Sequence, residues 1–156
     1  MKLLALDTSS VQTGYSYYVN GKYYESGIIN LSKIKILDTR INNMINSIKD
    51  LLDKYKPDHV VIEDIVVERN WHTFKVLALI IGSLYGLCID KGISYSYLSP
   101  TQWRNIIDSN PKPRKREELK KWGIEKAKLV TNKELNDDEA DAILLGKAYC
   151  IFKNLK

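Results

Sequence analysis

Two short apolar runs, each closed by a carboxylate and separated by a hairpin and a helix, restrict this chain to few architectures. Lys2-Leu3-Leu4-Ala5-Leu6 ends at Asp7, and His59-Val60-Val61-Ile62 ends at Glu63. Wholly apolar runs this short suit central strands covered on both faces. Between them, residues 14–19 and 22–29 read as strands joined by Asn20-Gly21, both of which tolerate the positive φ of a tight hairpin. Leu37, Ile41, Met44, Ile45, Ile48, Leu51, Leu52 and Tyr55 then recur at helical spacing. Pro57 stops that helix just before the second apolar run. A strand–helix–strand crossover leaves its strands parallel. Asp7 and Glu63 are therefore expected at the same end of the sheet.

The remainder reads as loop over 64–71 and a helix over 72–90, with apolar residues on more than one face. Such a helix is covered by its own sheet on one side. On the other it is covered either within the subunit or by a partner subunit, which Gly82, Ser83 and Gly86 would let approach closely. A fifth strand over 93–98 follows, and Ser99-Pro100-Thr101 opens a short helix over 102–107. A basic, proline-containing loop over 108–115 leads to a helix over 117–130, and Asp137 or Asp138 caps a last helix running to Phe152. The expectation is one α/β domain over 1–156, with a mixed five-stranded sheet and helices on both faces.

Asp138 and Asp141 stand three residues apart at the start of the last helix and so share one face. If that helix crosses the ends of the two apolar strands, four carboxylates converge. Asp7, Asp138 and Asp141 have ordinary readings as well. Asp7 can serve as a turn residue, and acids in a first helical turn complement the helix dipole. Glu63 fits neither, since Glu is a poor strand former and here follows Val-Val-Ile directly. A cluster of carboxylates repels itself unless hard divalent cations neutralise it. Paired Mg²⁺ ions held by such acids activate water and stabilise the leaving oxygen in phosphodiester hydrolysis. Neither histidine competes as a ligand, because His59 starts a strand and His72 a helix.

A net charge of +5 is compatible with a polyanionic partner. The charge is concentrated where Lys112, Arg114, Lys115 and Arg116 crowd the proline-bearing loop, with Arg104 before it and Lys120, Lys121, Lys126 and Lys128 after it. Such residues neutralise phosphates without reading sequence. The later lysines read equally as a solvated face, since Glu117, Glu118 and Glu125 intervene. Cys88 and Cys150 lie inside helical patterns and form neither a metal pair nor a disulfide framework. The longest apolar stretch, 76–89, is interrupted and reads as too short to span a bilayer. With no signal peptide evident at the N-terminus, a cytoplasmic protein without membrane association is expected.

These residues resemble the RuvC family of Holliday-junction resolvases, which have an RNase H-like fold. The likeness rests on the Leu-Asp7 strand end, the Val-Ile-Glu63-Asp64 strand end and the Asp138-Glu139-Ala140-Asp141-Ala142 helix start, in that order over nearly the whole chain. It implies a homodimer that needs Mg²⁺ or Mn²⁺, two ions per site, and cuts two opposed strands of a four-way junction. It implies Asp7, Glu63, Asp138 and Asp141 as the metal-binding catalytic tetrad, with Asp7 bridging both ions, and the helix over 72–90 as the dimer interface. Arg104 and Lys115 fall near positions that hold DNA-contacting lysines in bacterial relatives. With Lys112, Arg114, Arg116, Lys120 and Lys121 they make up the expected DNA-binding set.

The chain departs from the family in one respect. Bacterial relatives carry a Phe shortly after the strand-end Glu, whereas Asp64-Ile65-Val66-Val67 has no aromatic and Trp71 is the nearest. This and the lysine-rich segment suit a phage-encoded or divergent member. The residues leave three rivals: an RNase H-like nuclease acting on RNA or RNA–DNA hybrid, a non-catalytic branched-DNA-binding protein, and a nucleotide-binding phosphotransferase. The last follows from a likeness of Asp7-Thr8-Ser9 to sugar-kinase and actin-like phosphate loops. The lack of a second glycine-rich loop and the short chain count against it.

Overall fold

A computed structural model describes residues 1–66 and 70–155. The strands are β1 (Lys2–Asp7), β2 (Gln12–Val19), β3 (Lys22–Asn30), β4 (His59–Glu63) and β5 (Ser94–Leu98). The helices are α1 (Leu37–Tyr55), α2 (Trp71–Asp90), α3 (Pro100–Ile107), α4 (Arg116–Thr131) and α5 (Asp137–Phe152). The strands form one sheet in the order β3-β2-β1-β4-β5. β2 pairs antiparallel with β1 and β3, while β4 runs parallel to β1 and β5 parallel to β4.

The crossover through α1 explains this mixed topology. Asn20 (φ 49°) and Gly21 (φ 75°) turn the β2–β3 hairpin, and Lys56 in the left-handed region ends α1 before Pro57. β4 then enters beside β1, the strand pairing expected from the sequence.

A hydrophobic layer covers each face of the sheet. Leu4, Leu6, Val60 and Ile62 point to one face and pack with Met44, Ile48 and Leu52 of α1 and Ile80, Leu84 and Cys88 of α2. Leu3, Ala5 and Val61 point to the other and pack with Trp103 of α3, Ala127 of α4 and Ile143, Leu144 and Ala148 of α5. The alternation along β1 and β4 is why a fully apolar run was needed there. Cys88 and Cys150 are buried free thiols.

Three expectations need correction. The last helix is capped by Asn136, whose side chain accepts from the Glu139 amide, so Asp137 and Asp138 lie inside the first turn. The short helix begins at Pro100 rather than 102, because Ser99 and Gln102 form a reciprocal capping box. The apolar stretch 76–89 belongs to a 20-residue helix, α2, long and apolar enough by composition to cross a bilayer. Val76, Ile80, Ile81, Leu84 and Cys88 of that helix instead pack into the core, while Leu79, Tyr85 and Ile89 on its other side are exposed. The loop expected over 64–71 falls partly outside the described residues.

Candidate active site

Register places the acids. Leu6 pairs with Ile62, so Asp7 and Glu63 leave adjacent parallel strand ends. On the other side of β1, Asp7 pairs with Gly14 of β2. α5 lies directly over that glycine. A methyl group at Gly14 would overlap the Asp138 carbonyl, 2.6 Å from its carbon. Only a residue without a side chain lets the helix carrying Asp138 settle beside Asp7.

Hydrogen bonds fix α5 in that position. The Ser16 hydroxyl donates to the Ala142 carbonyl and the Tyr18 hydroxyl to the Ile143 carbonyl, both at 2.7 Å and both buried. Ser26 donates to Glu139 Oε1 at 2.6 Å, which turns Glu139 towards β3 and away from the other acids. Asp141 Oδ1 rests against Gly123 of α4, where an added Cβ would stand 3.2 Å away.

Two cavities meet at Glu63. One, of about 150 Å³, is lined by Asp7, Thr8, Glu63 and Asp64 among others. The other, of about 480 Å³, is lined by Glu63, Asp137, Asp138 and Asp141 together with Arg104, Arg116 and Lys120. The expected tetrad is thus divided between them: Asp7 lines the first, Asp138 and Asp141 the second, partly basic one, and Glu63 both. Among the described residues, however, no three acid, histidine or cysteine side chains draw close enough to enclose an ion. Arg104 Nη2 stands 3.6 Å from Asp141 Oδ2 and takes up part of the negative charge.

The electrostatics of the cluster are unfavourable as they stand. Burial pushes Asp7 well above the usual carboxylate range, and the charges of Glu63, Asp141 and Asp138 push the same way against Arg104. Burial raises Glu63, opposed by a hydrogen bond from Trp103 and by Arg104. Asp141 is lifted to about 7 by burial and then by Glu63. Asp138 is raised by burial and the charge of Asp137. Asp137 itself is held low by Lys120, 2.7 Å away. A set of oxygen donors whose charged forms are all disfavoured fits a hard divalent cation, which would supply the missing positive charge.

The basic residues divide into three groups. Arg104, Arg116 and Lys120 line the acidic cleft. Arg114, Lys115 and Lys121 are exposed, Lys115 with a loose contact to Glu118 at 3.5 Å. Lys112 is occupied within its own loop. Its ammonium donates to the Asp108 carbonyl at 2.5 Å and to the Asn110 carbonyl. Of the later lysines, Lys126 pairs with Asp108 at 2.8 Å and Lys128 with Glu134 at 2.8 Å. His59 is structural, bonded by Ser94 and Ser96 and stacked on Tyr149.

Trp103 is a site residue that sequence reasoning missed. Its indole Nε1 donates to Glu63 Oε2 at 2.6 Å, and its ring is fully buried. The Ser99–Gln102 capping box signals the start of the helix that carries Trp103, but nothing local signals its contact with Glu63, 40 positions away.

The family model for crossover junction endodeoxyribonuclease RuvC matches residues 3–147. A crossover junction endodeoxyribonuclease RuvC of Orientia tsutsugamushi (strain Ikeda) is 24% identical over 147 residues, covering 92% of this chain and 91% of the relative. Among solved structures, Thermus thermophilus RuvC in complex with a Holliday junction substrate superposes with a TM-score of 0.79 at 12% identity, covering 99% of this chain and 95% of that one. Fowlpox virus resolvase with Holliday junction DNA superposes with a TM-score of 0.66 at 20% identity, over the full length of both chains. The fold is thus RNase H-like.

Proposed function

From the premise that the chain belongs to the crossover junction endodeoxyribonuclease RuvC family, we propose that it is a homodimeric, Mg²⁺-dependent endonuclease that resolves Holliday junctions by paired symmetric nicks. The observation that supports this reading is that Asp7, Glu63, Asp138 and Asp141 lie around two cavities that meet at Glu63, the larger edged by Arg104, Arg116 and Lys120.

Asp7, Glu63, Asp138 and Asp141 are the residues that would hold the cations, with Mn²⁺ able to replace Mg²⁺. When bound, a pair of such ions activates water and neutralises charge on the leaving oxygen. The chain's own groups prepare the site. Trp103 fixes one oxygen of Glu63, leaving the other free to act as a ligand. Arg104 offsets Asp141 at 3.6 Å and is placed to exchange that partner for a DNA phosphate. Arg116 and Lys120 bring further positive charge to the cleft wall, and Arg114, Lys115 and Lys121 extend it outward for junction arms.

The homodimer reading is supported by α2, which leaves Leu79, Tyr85 and Ile89 exposed and has no atom within 4 Å of a Cβ added at Gly82 or Gly86. A two-fold dimer presents identical sites to two opposed strands. The reading fits an intracellular protein without membrane association.

The test is cleavage of an immobile four-way junction with Mg²⁺, beside linear duplex, flap and RNA–DNA hybrid. Paired symmetric nicks on the junction, lost in EDTA and in Asp7→Asn, are expected, with junction binding kept in Asp7→Asn. Preferential cutting of the hybrid would move the chain to the ribonuclease reading, and junction binding without cutting to an architectural one.

A further inference from the structure

The residues after Asp7 line a separate cavity of about 250 Å³ between the β1–β2 loop, α1 and the start of α2. It adjoins the smaller acidic cavity, with Thr8 and Leu77 in both walls. Its polar lining is Thr8, Ser9, Ser10, Arg40, His72 and Thr73, with no carboxylate among them.

Arg40 is the unusual member. It sits in the first turn of α1 and donates through Nη1 to the Ile34 carbonyl at 3.1 Å. Its Nε is buried and has no acceptor. Among the described residues it is the one buried side-chain nitrogen or oxygen left so. No described carboxylate lies within ion-pair distance of it. The guanidinium is therefore under-satisfied among the described residues, which is costly for a charged donor, and because Arg40 as a whole is only partly buried, its remaining N–H groups face the cavity it lines. The Ser9 hydroxyl adds a second donor, since it accepts from the Val11 amide at 3.2 Å and keeps its proton to give. A cation flanked by hydroxyls and, among the described residues, free of acids selects an oxyanion. The volume admits a phosphate with part of its sugar.

We propose that this cavity binds a backbone phosphate of the strand being cut, next to the scissile one, with Arg40 as its principal ligand. The proposal rests on the nuclease reading for its ligand and adds to it a strand-registering contact. The shared Thr8 wall makes the step from one cavity to the other a step along one strand. An anchor there holds the scissile phosphate over Asp7 by fixing its neighbour, a contact that positions the strand without reading sequence.

Two measurements test it. In EDTA, the Nε–H resonance of Arg40, assigned with the aid of Arg40→Lys, is followed while a short oligothymidylate or inorganic phosphate is added to the full-length protein. A saturable shift with the oligonucleotide is expected. No shift with either ligand, or a shift with inorganic phosphate alone, overturns the proposal.

In the second measurement, junctions carrying single methylphosphonates near the cut are cleaved by wild type and by Arg40→Gln. Wild type should lose about tenfold in rate at one non-scissile position. Arg40→Gln should be slowed about tenfold on the native junction and be indifferent to that substitution, with Arg40→Lys recovering part of the rate. Equal sensitivity of wild type and Arg40→Gln at every position overturns it. If wild type cuts no junction, the nuclease reading fails, while the resonance titration still decides the fate of the phosphate site.

Discussion

Gly14 lies opposite Asp7 in the β1–β2 pair and directly beneath the main-chain carbonyl of Asp138, so one missing side chain joins the strand half of the acid cluster to its helix half. The overlap a Cβ would create is with backbone, which cannot turn aside. Gly14→Ala should therefore cost about 3 kcal/mol, at the upper end for overpacking, and lower Tm by roughly 6–12 °C. Junction cleavage at a temperature where the variant is folded should fall further, because Asp138 is displaced from Asp7. Asn46→Ala is the control. It sits on the exposed side of α1 and should hold or raise Tm, since Ala is the better helix former. Equal melting of Gly14→Ala and wild type would show that α5 does not seat on β2 as described.

Trp103 restrains Glu63 through a hydrogen bond to a charged acceptor. Such bonds contribute about 1.5–3 kcal/mol. Trp103→Phe keeps most of the ring in the core but leaves Glu63 without this donor. Removing a contact that lowers the Glu63 pKa moves it further up. The acid limb of the pH–rate profile should therefore shift to higher pH, with about a tenfold loss of rate at pH 7 and unchanged junction affinity. A variant slowed equally at all pH values would contradict the role given to Trp103.

The acid cluster makes the metal-free protein sensitive to pH in a definite direction. Asp141 titrates at about 7 when folded, against about 4 in an unfolded chain. Between these values the folded state holds a proton that the unfolded state has released, so stability falls as pH rises from about 4 to about 7 and then levels. Asp7 and Glu63, also raised, act in the same sense. In EDTA, Tm should be higher at pH 5 than at pH 8, and Mg²⁺ should raise it more at pH 8. Asp7→Asn should gain about 1–2 kcal/mol at pH 8 in EDTA, or roughly 2–8 °C, while losing cleavage. A lower Tm for Asp7→Asn under these conditions would mean that Asp7 is not under the repulsion described.

Much of this arrangement was legible in the chain because it depends on local pattern. Asn20-Gly21, Pro57 and the two apolar runs point to the order β3-β2-β1-β4 without reference to distant contacts. The same order places Asp7 beside Glu63. The helix docking was not legible. That Gly14 is a seat for α5 and that Ser16 and Tyr18 bond its carbonyls are relations across more than 120 positions, with no periodicity to announce them. The Trp103 contact with Glu63 is hidden for the same reason, 40 positions apart. Lys112 shows what charge alone leaves out. Charge in a loop suggested a DNA contact, and in the structure its ammonium donates to two carbonyls of the turn that contains it.

That distinction among the cations is measurable. Arg114, Lys115 and Lys121 are exposed, whereas Lys112 is tied to the Asp108 and Asn110 carbonyls. Replacing any one of the first three by Ala should weaken junction binding and reduce the slope of log K against log salt by about 1. Lys112→Ala should leave that slope unchanged and instead lower Tm by a few degrees. A slope change for Lys112→Ala matching the others would place its ammonium on DNA.

The exposed side of α2 gives the last prediction. Leu79 is 50% exposed and Ile89 58% exposed, and a Cβ at Gly82 or Gly86 would meet nothing. An apolar strip with small residues at its centre matches the surface a second copy would bury. Leu79→Glu puts a charge into that contact, twice in a two-fold dimer, without touching the core face formed by Ile80 and Leu84. The dimer dissociation constant should rise by about 100-fold or more, equivalent to roughly 3 kcal/mol, with helical content unchanged by circular dichroism. Sedimentation would report monomer at micromolar concentration. Cleavage should pass from paired nicks within one binding event to single, uncoupled nicks. If Leu79→Glu sediments as wild type does, the two copies meet elsewhere, and α2 is not the element that sets two active sites on opposed strands.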